Sequence, residues 1–355
     1  MNGANADEKT VELANRPRII WIDCCRVICM FSIVYGHSLM LLPAGHSPWT
    51  GLLMGWFWDA YAPCVVVLMF FFLSGWLQKT KCRVLDVNKF LFLAFPVLLW
   101  NLVQLIVDRG VTAWSLGDLS SLGIWPTFTE ADKPLWFLDE LAWFSLLLPL
   151  IHRMPVLLRG VLVLAGMVTL YLLNPQGEIV WNPYQKFCAD CLFFLMGSLI
   201  SGLERARITA FFLKIAPWVF IVGTCYMWRS ILYVNHWTPI PSHSMPYAFA
   251  GLICLLSYGA VLERFLPRLA RWVSMLAPAV FFIYAAHWPM FTLWGKVEDL
   301  VGLCRLNEYL YPLYTVGCFA LCAVACFFAR KHLPGKLLEW FFLYKKPRVK
   351  RSDAL

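Results

Sequence analysis

Charge is what this chain has little of. Asp, Glu, Lys and Arg make up 14% of its 355 residues, against about 25% in an ordinary soluble domain. A soluble fold of that length would lack the charge to cover its surface, so that class is excluded. Long polar intervals are missing as well, and no segment between apolar runs is large enough to stand as a soluble domain. Disorder is excluded by 60% apolar and 16% aromatic residues, far more than a chain that cannot form a core carries. Cysteine spacing suited to a disulfide scaffold is absent too. Of the 13 Cys, 11 sit inside apolar runs, and Cys318, Cys322 and Cys326 fall on one helix face. They read as small, packable thiols. Cys188 and Cys191 form a lone CxxC without a second pair or added His, so no metal site is expected.

What is present is apolar sequence in lengths that suit lipid. Mean hydropathy is +0.65. Runs of membrane-crossing length, about 17–25 residues, recur over 19–42, 52–77, 88–107, 136–151, 156–173, 187–203, 211–233, 246–263, 277–295 and 309–329. The expected fold is all-α: a polytopic integral membrane helical bundle of about ten transmembrane helices. The fourth and fifth runs are short enough to tilt or merge. The chain divides into a polar segment (1–18), a transmembrane domain (19–329) and a basic tail (330–355). The first apolar run follows a mixed-charge stretch and lacks a small-residue cleavage site, so it is expected to act as a retained anchor. The interval 108–135 carries Trp114, Trp125, Pro126 and Phe128 and suits the membrane interface.

The 30 Lys and Arg alternate with the crossings. With both termini cytoplasmic, one side holds Lys9, Arg16 and Arg18, then Lys79, Lys81, Arg83 and Lys89. It also holds Arg153, Arg159, Arg205, Arg207, Lys214, Arg264, Arg268, Arg271 and the tail from Arg330 to Arg351. The other side holds only Arg109, Lys133, Lys186, Arg229, Lys296 and Arg305. This is the positive-inside pattern of a multi-pass membrane protein. It accounts for the net charge of +9 without a nucleic-acid partner. The tail cluster Lys345, Lys346, Arg348, Lys350 and Arg351 suits lipid headgroups.

Ionisable residues inside a span cost about 2.5–3.5 kcal/mol on the insertion scale and point to function. The first span has three. Eleven residues from Arg26 to His37 turn about 1100°, three turns plus roughly 20°, and rise about 16 Å. Asp23, three residues before Arg26, falls on the same stripe. One face thus carries a cation in its N-terminal half and a base in its C-terminal half. Asp23 and Arg26 can equally be an interfacial ion pair, and His37 a histidine bonded to a neighbouring helix. Later spans add Ser74 and Gly75 after Phe70–Leu73, Asn101 and Gln104, Asp139 and Glu140 after Trp136–Leu138, and His287 after Ile283–Ala286. Ser-Gly also suits close helix packing, and a carboxylate at a helix start suits the dipole.

In order and spacing these residues resemble the integral-membrane acyltransferase 3 family. Trp21-Ile22-Asp23, Arg26 and His37 resemble its first-helix signature, and Phe71-Phe72-Leu73-Ser74-Gly75-Trp76 its second. Leu135-Trp136-Phe137-Leu138 to Pro149 resembles its fourth-helix segment, and Tyr284 with His287 its late motif. The chain looks closest to stand-alone bacterial O-acetyltransferases of envelope polysaccharide or its lipid-linked precursors. Departures are Trp76 for a commoner Phe or Tyr, Leu141 and Ala142 where one branch has paired glutamates, and Leu93 where the family often has an arginine three residues before Pro96.

The resemblance implies a membrane O-acyltransferase. It would move an acyl group, acetyl by family habit, from cytoplasmic acyl-CoA to a hydroxyl of a sugar or lipid-linked glycan. Acyl-CoA would be a co-substrate, with no permanently bound cofactor. His37, with a reference pKa of about 6.5, can serve as general base. Arg26 can hold donor groups or the oxyanion, and Asp23 can orient Arg26. Lys79, Lys81, Arg83 and Lys89 are placed for CoA phosphates, and Ser74 and Gly75 for passage of the pantetheine arm. Trp136, Asp139, Glu140 and His287 are candidates for acceptor binding or support. Trp181, Trp237, Tyr247, His236 and His243 also fall in intervals on that side. The rival reading is a proton-coupled transporter or flippase using the Asp23/Arg26/His37 stripe. The missing duplication between the two halves speaks against it.

Overall fold

The computed structural model describes residues 18–39, 66–77, 87–116, 136–173, 183–201, 203–234, 245–301 and 311–342. Every regular element among them is helical. In chain order they are α1 (Ile20–Leu39), α2 (Val67–Trp76), α3 (Val87–Leu116), α4 (Trp136–Arg153), α5 (Val156–Leu173) and α6 (Pro183–Ile200). There follow α7 (Arg205–Val234), α8 (Met245–Phe265), α9 (Pro267–Ser274), a 3-10 turn (Ala277–Ala279), α10 (Val280–Val301), α11 (Tyr311–His332) and α12 (Gly335–Phe342). Six stretches of described helix are long and apolar enough to cross a membrane, and α2 and the stretch Lys89–Gln104 of α3 are shorter apolar ones. The protein is a multi-pass helical membrane protein. Helices satisfy their own backbone, which is what lets them stand in hydrocarbon.

Helix α1 is the axis of the bundle. Of its membrane-length stretch 56% is buried, against 6% for α7, so α1 is enclosed by protein while α7 shows most of its surface to lipid. Around α1 stand α8, α9, α10 and α11. The cysteines of α1 make this enclosure possible. Cys24 donates to the carbonyl of Ala270 (3.2 Å), and Cys25 donates to that of Leu256 (3.3 Å). A larger residue would hold the helices apart at both places. The N-terminal turn of α1 is fixed by Glu263 at the end of α8, whose carboxylate accepts the Trp21 backbone N–H at 2.7 Å. A carboxylate there answers both the free N–H and the positive end of the helix dipole.

The tightest pairing is α2 with α6. A Cβ on Gly75 would collide with the carbonyl of Phe194, and one on Gly197 with that of Phe72. The two backbones touch at reciprocal glycines, the close approach that small residues permit in membranes. Phe71, Phe144 and Phe194 fill a second buried cluster beside this contact.

Two expectations from sequence change. The fourth and fifth runs remain two helices, because the chain breaks at Met154 and Pro155 between α4 and α5. Helix α3 runs to Leu116, so the interval after the third span begins later than residue 108. Helix α11 continues to His332, and α12 folds back onto α3 with Leu338 fully buried and the Trp100 indole donating to the Phe341 carbonyl at 2.8 Å. Leu337, Leu338 and Phe341 give this piece of the tail an apolar face, which charge counting overlooks.

Candidate active site

His37 lies near the C-terminal end of α1, where α10 and α11 converge on it. Its Nδ1 is 2.8 Å from Nε2 of His287. The two ring planes differ by 7° and the centroids are 5.1 Å apart. That separation exceeds the nitrogen–nitrogen contact by about a ring width, so the rings meet edge to edge in a shared plane. His287 is fully buried, and its Nδ1 lies 3.1 Å from the carbonyl oxygen of Ile283, one turn back on α10. A carbonyl only accepts, so Nδ1 of His287 carries a proton. In the neutral ring its Nε2 is then an acceptor, and Nδ1 of His37 must donate to it. The lone pair of His37 is thereby placed on Nε2. This chain of two rings and a carbonyl fixes a tautomer in the way a carboxylate does in a hydrolase triad.

Packing holds the pair in place. Trp288 meets the His37 ring edge-on at 5.4 Å, and Phe291 meets His287 at 5.7 Å. Next to His37, the Ser38 hydroxyl lies 2.8 Å from that of Thr315 on α11 and donates to the Tyr35 carbonyl. One turn beyond His287, Gln104 of α3 donates to the Thr292 hydroxyl at 3.4 Å.

Arg26 lies on the same stripe, toward the start of α1. Its guanidinium is 3.5 Å from one carboxylate oxygen of Asp23, and Arg18 approaches the other at 3.3 Å. Asp23 is thus flanked by two cations. Although α1 is the most enclosed crossing helix, 35% of the Arg26 side chain remains exposed. A charged group within the bundle that is not fully enclosed can receive an anionic or carbonyl group. The histidine pair stands about 16 Å from Arg26 along the helix.

Other expected residues fall elsewhere. Ser74 and Gly75 sit on α2, but the free face of Gly75 is filled by the α6 backbone. The structure therefore gives Gly75 a packing role and leaves no room there for a pantetheine arm. Glu140 of α4 faces α6, where its carboxylate is 3.7 Å from the Lys186 ammonium. Lys186 is also paired with the buried Asp190 at 2.9 Å. This buried cluster ties two helices together. Asp139 points outward and is exposed, and Lys89 is half-buried on α3. Trp136 opens α4, its side chain outside the described residues, as are Lys79, Lys81, Arg83, Trp125, Trp181, Trp237, His236 and His243. Tyr247 is not on an outer loop: it is fully buried on α8 beside Tyr226.

Sequence reasoning missed Glu263, Lys186, Asp190, Trp288 and Thr315. Asp190 had a signal, an acid inside an apolar run. Thr315 and Trp288 had none, since a hydroxyl or indole in a span is ordinary.

The family model for the acyltransferase domain of Acyl_transf_3 matches residues 19–343. The chain belongs to the acyltransferase 3 family. The match runs through α12, in agreement with the packing of that helix against α3. No curated protein and no solved structure matches the chain. As a member of this family with membrane-crossing helices, the protein is a membrane O-acyltransferase.

Proposed function

We propose that this membrane acyltransferase moves an acyl group, acetyl in the simplest case, from acyl-CoA to a hydroxyl of a sugar or lipid-linked glycan. His37 is its general base. The observation that carries the reading is the hydrogen-bonded chain His37–His287–Ile283 carbonyl, which leaves the His37 lone pair on Nε2. Nε2 takes the acceptor hydroxyl proton as the oxygen attacks the thioester carbonyl. The tetrahedral centre collapses, the carbon–sulfur bond breaks, and the departing CoA thiolate recovers the proton from the imidazolium. No acyl-enzyme is needed.

Arg26, on the same face and partly exposed, is suited to hold phosphate or pantetheine carbonyl groups of the donor, about 16 Å along the helix from the base. Asp23 and Arg18 hold its orientation. The Lys/Arg distribution favours a cell (inner) membrane protein with both termini cytoplasmic. The donor would then enter where α1 begins, and the acceptor would meet His37 near the other end. Lys79, Lys81, Arg83 and Lys89 remain candidates for CoA phosphates at the donor mouth, and Trp136 for the acceptor.

The test uses the full chain in lipid nanodiscs, with thiol release from acetyl-CoA measured over a panel of free and lipid-linked glycans. Acceptor-stimulated release should fall by about 10²–10⁴ in His37→Ala, the contribution of a positioned base. In Arg26→Gln the KM for acetyl-CoA should rise. Release that ignores His37→Ala would overturn the mechanism. Movement of labelled solute across vesicles with no new covalent product would favour the carrier reading.

A further inference from the structure

The short helix α9 carries a groove of about 320 Å³ lined by Arg268, Arg271, Trp272 and Met275. These positions follow i, i+3, i+4 and i+7, a single face of the helix. The opposite face is buried: Ala270 is fully enclosed and Ser274 nearly so. There α9 packs on α1 and α8, with Cys24 bonded to the Ala270 carbonyl. The groove therefore looks away from the bundle interior.

Its chemistry is mixed in a specific way. Arg268 and Arg271 are both exposed, and no carboxylate pairs with either among the described residues. Arg271 reaches only the Pro267 carbonyl, at 3.4 Å. Like charges one turn apart disfavour a helix unless something neutralises them. By contrast, nearby Arg264 is engaged, donating to the carbonyls of Leu213 and Lys214. Around the two arginines the surface is apolar and open: Trp272 is 69% exposed, and Phe265, Leu266, Leu269 and Met275 are also exposed. A soluble phosphate compound would gain nothing from that apolar skirt, and a groove turned outward does not lead to His37. A phospholipid uses both parts, with its phosphate on the guanidiniums and its glycerol and chains on the apolar rim.

We propose that the α9 groove is a binding site for the headgroup of an anionic phospholipid. The bound phosphate neutralises Arg268 and Arg271 and holds α9 against the first turns of α1, next to Asp23 and Arg26. This proposal does not depend on the donor or acceptor of the acyl transfer.

The experiment measures binding of phosphatidylglycerol and phosphatidylcholine to the purified full chain in detergent by native mass spectrometry. Wild type should prefer phosphatidylglycerol. Arg268→Gln/Arg271→Gln should weaken phosphatidylglycerol about 30-fold, the equivalent of about 1 kcal/mol per arginine at 1.4 kcal/mol per decade, and leave phosphatidylcholine unchanged. Arg268→Lys/Arg271→Lys should keep most of the preference, and Arg207→Gln, an exposed cation on α7, all of it. A wild type without preference overturns the proposal with no variant needed, as does equal phosphatidylglycerol binding in wild type and the double Gln variant. Displacement of phosphatidylglycerol by free CoA would overturn it in favour of a nucleotide-phosphate site.

Discussion

Replacing His287 gives the sharpest test of how the site works. In His287→Ala, Nδ1–H of His37 loses the acceptor now 2.8 Å away. A buried donor left without a partner costs about 1–3 kcal/mol, and His37 escapes that cost by turning or by moving its proton to Nε2. Either response removes the lone pair from the position that meets the acceptor hydroxyl. At 1.36 kcal/mol per decade, the same 1–3 kcal/mol corresponds to a fall in kcat of about 5- to 150-fold. KM for donor and acceptor should change by less than about twofold if His287, fully buried, works through His37 alone as proposed. His287→Gln places an amide oxygen near the position of Nε2 and should recover part of the rate, whereas His287→Asn, whose oxygen falls short, should not. The assay is thiol release under saturating donor and acceptor. His37→Ala/His287→Ala should be no slower than His37→Ala alone, since His287 acts only through His37. If His287→Ala keeps full kcat, or if the two substitutions are additive, the tautomer argument is wrong.

Other expectations concern the scaffold. Gly75→Ala and Gly197→Ala each force a methyl into the opposing backbone and should lower stability by about 1–3 kcal/mol or more, read as a lower melting midpoint in detergent; unchanged midpoints would mean that α2 and α6 are not in backbone contact. Lys186→Met strands Glu140 and Asp190 together and should cost about 3–5 kcal/mol, while Glu140→Gln keeps the 2.9 Å Lys186–Asp190 pair and should be near neutral; the reverse ranking in thermal unfolding would remove the cluster from its tying role. Asp23→Asn leaves Arg18 and Arg26 facing each other without a carboxylate. It should raise the KM for the acyl donor severalfold, an effect that Asp23→Glu partly restores, with stability changing by no more than about 1 kcal/mol because both arginines are partly solvated.

Much of the fold was legible because lipid imposes a simple rule on sequence. The run at 156–173 coincides with α5, since a lipid-facing helix is apolar over most of its length. Helices α9 and α12 were not legible, because each has only one apolar face and is too short to register as a span. The stripe of Asp23, Arg26 and His37 was legible because 3.6-residue periodicity places them together before any packing is considered. The pairing of Asp23 with Arg26 was legible too, but the partner of His37 was not. Phe194, opposite Gly75, lies more than a hundred positions away in sequence, and nothing local tells a glycine that lets a ligand pass from one that lets a backbone approach.

The amino-acid sequence alone determined that this protein lives in lipid, that it is helical throughout its regular structure, and that one face of α1 bears acid, cation and base. Those properties follow from composition and helical period, which are local. The tertiary structure decided what each polar group does. It set His37 against a histidine 250 positions away and so chose which ring nitrogen holds the lone pair. It enclosed Glu140 with Lys186 and Asp190, and it placed Arg268 and Arg271 on an outward groove. In a medium that offers no water to satisfy buried polar atoms, the roles of these groups are set by the neighbours that the fold brings to them.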